Sequence, residues 1–219
     1  MNAPSPLARP PSRFPPVVKT LLIVNAIIFI AQTMGWNAWL TQYFALWPAY
    51  TPELARMGSQ VFAVPQFEFW QLLSYGFLHG SMSHIFFNLL AMWMFGAQIE
   101  NSWGSRRFAT YYFVCVIGAG LTQLIVVTFF SHQIVPTLGA SGGVFGILLA
   151  FGMMFPNRLI VLLIPPIPIK AKWFVIFYGA LELFLGVTGT ASGVAHFAHL
   201  GGMVFGFLLL MYWSFQVRT

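Results

Sequence analysis

Five side chains in this sequence combine polarity with a spacing that suits chemistry: His84 and Asn88, four residues apart; Ser141; and His196 and His199, three residues apart. On a helix, residues three or four apart share a face, so each pair can point one way. A serine hydroxyl is a weak nucleophile until a neighbouring base takes its proton, and an imidazole can do this and later hand the proton to a leaving amine. Ser141 with His199 therefore reads as a nucleophile and its general base, suited to attack on an acyl carbon. The oxyanion formed in such an attack needs donors aimed where the charge develops. The backbone N–H of Ser141, at a helix start, supplies one, and Gly139 permits a tight approach. Asn88 can add its side-chain amide, with His84 assisting or positioning it. The competing assignment for Asn88 and His84 is an interhelical hydrogen bond with no chemistry.

A third group usually orients such a histidine. The chain has no aspartate, and its glutamates are Glu53, Glu68, Glu100 and Glu182. A Ser-His-Asp arrangement is thus impossible. Glu182, in the middle of a long apolar run, reads as too deep to reach the imidazole. Packing is the expected substitute: Phe145 lies one turn after Ser141 on the same face and can brace the ring of His199. The expectation is a catalytic pair acting alone. His196 is expected to line or support the site, since one base suffices; His79 reads as structural, and His132 as a loop residue without a role. Nothing calls for a metal or cofactor: HExxH is absent, and the single Cys115 supports no cysteine-based site.

The elements that must position these residues are set by composition. Of the 219 residues, 58% are hydrophobic and 6% charged, against roughly a quarter charged in soluble domains, so the chain belongs in a bilayer. Apolar runs of bilayer-spanning length give helices expected near 18–34, 80–99, 107–130, 141–155, 172–188 and 194–214. The expected fold is all-α: a polytopic membrane protein with six transmembrane helices. The net charge of +6 sits in short clusters between the runs, which sets orientation and excludes a nucleic-acid partner. Under six spans every Lys and Arg except Arg56 falls on one side, and positive-inside bias makes that side cytoplasmic. Residues 1–16, with six prolines, read as a short cytoplasmic tail, and 17–219 as one membrane domain. The long outer loop 35–79, rich in tryptophan, is expected along the membrane surface.

Topology alone then brings the polar residues together. The second, fourth and sixth spans run inward from the outer side, and His84, Asn88, Ser141, His196 and His199 all fall in the first half of their span. The fourth is short, about 22 Å for 141–155 at 1.5 Å per residue, so the loop before it must descend into the membrane and leave Ser141 recessed. Gly142 with Gly146, and Gly202 with Gly206, form GxxxG spacings that allow close helix approach.

These segments, GASGGVFG at 139–146, HGSMSHIFFN at 79–88 and AHFAHLGG at 195–202, resemble the rhomboid family of intramembrane serine proteases. The resemblance implies a rhomboid-like six-helix fold, a Ser-His dyad at Ser141 and His199, and oxyanion contributions from His84 and Asn88. It implies substrates that are single-span membrane proteins, with access past the fifth helix and the outer loop 189–193. A Trp-Arg pair of the family stands here as Trp70-Gln71. The implied setting is lipid, in a bacterial inner membrane, with cytoplasmic termini and the site opening outward; self-association is left open. The alternative is a rhomboid-like protein that binds transmembrane clients without cutting them. A Ser-Lys dyad fails because Lys19, Lys170 and Lys172 lie at the opposite end from Ser141.

Overall fold

The computed structural model describes residues 11–57, 60–131, 134–162, 165–189 and 194–216. Most of the tail expected over 1–16 lies outside them, as do His132 and residues 190–193 of the outer loop. Helix α1 (Pro16–Ala31) runs through a π-helical turn, bent at Gly35, into α2 (Asn37–Phe44). An antiparallel hairpin, β1 (Leu54–Met57) and β2 (Gln60–Ala63), and a short α3 (Gln71–Ser74) complete the outer segment. Then come α4 (Met82–Ala91), continued by a π-helical turn into α5 (Ala97–Trp103), and α6 (Ser105–Val126). Helix α7 (Ser141–Met154) is followed by a second hairpin, β3 (Leu159–Val161) with β4 (Pro168–Lys170), and by α8 (Ala171–Thr188) and α9 (His196–Gln216).

Among the described residues, five helical stretches are long and apolar enough to cross a membrane: Pro16–Phe44, Met82–Trp103, Ser105–Phe130, Ala171–Thr188 and His196–Ser214. Ser141–Met154 is a shorter apolar helix. Together they occupy the six expected positions. Large apolar side chains face outward along them, Ile23, Ile27 and Ile30 on α1 and Ile176, Phe177, Leu183 and Phe184 on α8, a surface suited to lipid and not to water. The chain is an integral, multi-pass membrane protein with a mostly helical fold.

Helix α7 can be short because protein surrounds it: ten of its fourteen residues are buried. Small residues bring its neighbours to backbone contact. A Cβ on Gly202 of α9 would overlap the carbonyl oxygen of Gly142, and one on Gly142 would strike Ala119 of α6. The expected two-helix contact is in fact shared by three helices, since Gly146 also packs against Cys115, and Gly206 packs against Tyr111 and Cys115, all of α6. Tyr111 Oη, donating to the Gly146 carbonyl at 2.8 Å, ties α6 to α7.

The outer segment does more than lie on a surface. Leu46 and Thr137 exchange both backbone hydrogen bonds, at 2.9 and 2.8 Å, and the Gly139 N–H donates to the Tyr75 carbonyl at 2.9 Å. Non-helical backbone at membrane depth must find such partners within the protein, and these hold the loop that leads into Ser141. Gln71, where the family pattern has arginine, is buried; its Oε1 accepts from the Trp47 N–H at 3.2 Å and its Nε2 lies 3.4 Å from the Gln66 carbonyl. A neutral side chain thus cross-links this loop. At the opposite end, Glu100 caps α1, accepting from the Val17 and Val18 N–H groups at 2.9 and 2.8 Å and from Ser105 Oγ at 2.6 Å.

Candidate active site

Ser141 is the first residue of α7, and no side chain caps that helix. The N–H groups of its first turn therefore point into the space ahead of it, at the positive end of the helix dipole. Gly139, two residues earlier, has φ of +132°, a conformation L side chains rarely adopt. A Cβ there would also sit 2.8 Å from the His84 ring and 3.5 Å from Ser141 Oγ. Glycine is required on both counts, and the chain passes between the histidine and the hydroxyl.

From α9, His199 reaches the same point. Its Nε2 lies 2.8 Å from Ser141 Oγ. Its ring stacks on Phe145, with centroids 4.3 Å apart and planes 7° from parallel, and Phe145 stacks in turn on Tyr178 of α8 at 5.1 Å and 11°. The bracing contact expected of Phe145 is present. It is not the whole restraint, however.

Glu182 is not too deep. Its Oε2 lies 2.8 Å from Nδ1 of His199 and 2.6 Å from Nδ1 of His196. The expectation that packing alone holds the imidazole is therefore corrected: a carboxylate contacts the ring nitrogen opposite the one facing Ser141. The register explains how. A Cβ on Gly186 would meet Cβ of His196 at 3.1 Å, and because α8 and α9 run antiparallel, stepping back one turn on α8 and forward one turn on α9 pairs Glu182 with His199. Depth counted along one helix at a time misses this offset. One signal in the sequence bore on it, that a carboxylate within a span needs donors; the structure adds that Glu182 shares a helical spacing with Ala171 and Val175, the other buried residues of α8.

His84, Asn88, Ser141, Phe145, Tyr178 and His199 all border one cavity of about 880 Å³. Asn88 uses one amide hydrogen locally, donating to the His84 carbonyl at 2.9 Å, and its second hydrogen is available to a ligand. His84 is anchored through its own N–H to Ser81 Oγ at 3.2 Å. His196 is buried and does not border that cavity. His79 is also buried, its backbone N–H and carbonyl both bonded to the Gln32 side chain, at 3.0 and 3.2 Å. Burial and the adjacent His84 lower its pKa to about 4, so its ring is neutral at physiological pH.

By composition, Glu182, His196 and His199 resemble a metal-ligand set, with donor atoms within 4.8 Å of one another. The distances from Oε2 to the two Nδ1 atoms, 2.6 and 2.8 Å, are those of hydrogen bonds. Donors each about 2.0 Å from a tetrahedral zinc would lie about 3.3 Å apart.

Comparison with known proteins agrees with the motifs. The family model described as Rhomboid domain matches residues 66–215. The chain is 33% identical over 213 residues to Rhomboid protein 1, mitochondrial, of Saccharomyces cerevisiae, covering 92% of this chain and 54% of that protein. It is 34% identical over 145 residues to Rhomboid protease GluP of Bacillus subtilis, covering 66% and 26%, and 28% identical over 192 residues to Rhomboid protease GlpG of Klebsiella pneumoniae, covering 82% and 61%. It thus spans between 26% and 61% of the length of these relatives.

Proposed function

The chain belongs to the rhomboid family, and from that premise we propose that it is an intramembrane serine endopeptidase that cuts transmembrane segments of other membrane proteins. The observation that carries this reading is the 2.8 Å approach of His199 Nε2 to Ser141 Oγ at the wall of a shared cavity. Relatives named as rhomboid proteases support it.

In this reading Ser141 Oγ attacks the scissile carbonyl carbon while its proton passes to Nε2 of His199. The carbonyl oxygen becomes an oxyanion, stabilised by the free N–H groups at the start of α7 and by the second Asn88 amide hydrogen, with His84 beside them. Donors of this kind are worth about 10²- to 10³-fold each in kcat. The C–N bond then breaks as Nε2–H gives its proton to the leaving nitrogen, and the acyl group stays on Ser141 as an ester. Water, deprotonated by His199, attacks that ester and releases Ser141. A helical peptide bond is shielded by its own hydrogen bonds, so the substrate must unwind locally, which Gly or Pro near the bond makes cheaper. Access past α8 suits the fold, because only 17% of that span is buried.

Single-span membrane proteins are the substrate class of this reading, and a bacterial inner membrane is the location. The cytoplasmic side is the one carrying Lys19, Arg106, Arg107, Arg158, Lys170 and Lys172, with Ser141 toward the other. The test is incubation of purified protein with a panel of single-span substrates, beside Ser141→Ala and His199→Ala. Cleavage by the wild type alone supports the proposal. If all three leave every substrate intact while binding it, the chain is a client-binding member of the family.

A further inference from the structure

We propose that Glu182 is a positioning residue that extends the Ser141–His199 pair to a three-membered acid–histidine–serine array, with His196 clamping the carboxylate from its other side. The inference rests on the protease reading above and adds to it a member that the sequence motifs do not contain.

The geometry is directional. A carboxylate only accepts hydrogen bonds, so the 2.8 Å contact between Glu182 Oε2 and His199 Nδ1 places a proton on Nδ1. Neutral imidazole carries a single ring proton, so Nε2 is left with a bare lone pair, and that lone pair faces Ser141 Oγ at 2.8 Å. This is the one tautomer in which His199 can accept the serine proton. When the proton has moved, His199 is a cation beside a carboxylate, inside a bundle of low polarity where such a pairing counts for more than in water. Stacking on Phe145 fixes the plane of the ring but is indifferent to which nitrogen is protonated. Glu182 selects the tautomer; Phe145 does not.

His196 explains how an ionised carboxylate is held on a lipid-facing helix. Glu182 is one of three buried residues on α8, and a charge in a span is costly unless partnered. Nδ1 of His196, 2.6 Å from the same oxygen, supplies a second donor. The titratable groups around the carboxylate are thus His196 and His199 from α9 and Tyr178 from its own helix, with Ser141 beyond His199 and His84 across the cavity.

The alternative is that Glu182 is only a tie between α8 and α9, and the test must separate the two. Glu182→Gln keeps the size of the side chain, yet its amide can donate to Nδ1 and favour the tautomer with the proton on Nε2. The expected result is a fall in kcat of about 10²- to 10⁴-fold, with KM within about threefold and the melting temperature near that of the wild type. In ¹⁵N-histidine spectra of the intact protein in detergent, His199 should carry its proton on Nδ1 in the wild type and on Nε2 in the variant. A kcat within about threefold of wild type in folded Glu182→Gln overturns the proposal. So does a wild-type spectrum with the proton on Nε2, a measurement that needs no variant to fold. If wild type cleaves no substrate, the protease reading fails, while the wild-type spectrum still decides whether Glu182 sets the tautomer.

Discussion

Phe145→Leu separates ring stacking from simple filling of space. Phe145 is buried, between His199 at 4.3 Å and Tyr178 at 5.1 Å, all near parallel. Leucine keeps most of the volume and removes the aromatic faces. An aromatic pair contributes about 0.5–1.5 kcal/mol beyond its buried area, and about 1.4 kcal/mol is a factor of ten. If that energy holds the imidazole in its productive plane, kcat should fall about 2- to 12-fold. Stability should fall by about 1–2 kcal/mol, since truncation all the way to Ala typically costs about 3–5. KM should hold, because the ring acts on His199. The assay is initial-rate cleavage of a single-span substrate in proteoliposomes over a range of substrate fractions, with thermal unfolding in parallel. A kcat within error of wild type, together with a lowered melting temperature, would refute the reasoning and leave Phe145 as core filling.

Gly202→Ala should lower stability by about 1–3 kcal/mol or more and reduce activity with it, because the added methyl overlaps the Gly142 carbonyl and backbone cannot rotate aside. Paired activity and melting measurements check this, and wild-type turnover would show that α7 and α9 need not touch. Asn88→Ala should lower kcat by about 10²- to 10³-fold while costing only about 1 kcal/mol, since its bond in this structure goes to its own helix. An unfolded protein would mean that the amide is structural. Glu100→Gln weakens the cap on α1 by exchanging charge-assisted for neutral hydrogen bonds, a difference of about 1–1.5 kcal/mol each; thermal unfolding should report that loss of stability while the folded fraction cleaves normally.

The parts legible in the sequence were those governed by a single helix. Apolar length located the spans, and the i to i+4 rule put Phe145 beside Ser141. The parts that were not legible depend on how two elements are offset. Glu182 joins His199 because Gly186 seats against His196, a register that only packing decides. The ties from Leu46 and Tyr75 to the loop before Ser141 are backbone bonds, which side-chain patterns do not encode. The β1–β2 hairpin of the outer segment carries no alternation strong enough to announce it.

The most direct test of the central claim is covalent labelling with a fluorophosphonate, followed by mass spectrometry of the modified peptide. The account predicts a single adduct on Ser141, lost in Ser141→Ala and strongly slowed in His199→Ala. Labelling that persists in folded Ser141→Ala, or proceeds at the wild-type rate without His199, would contradict it.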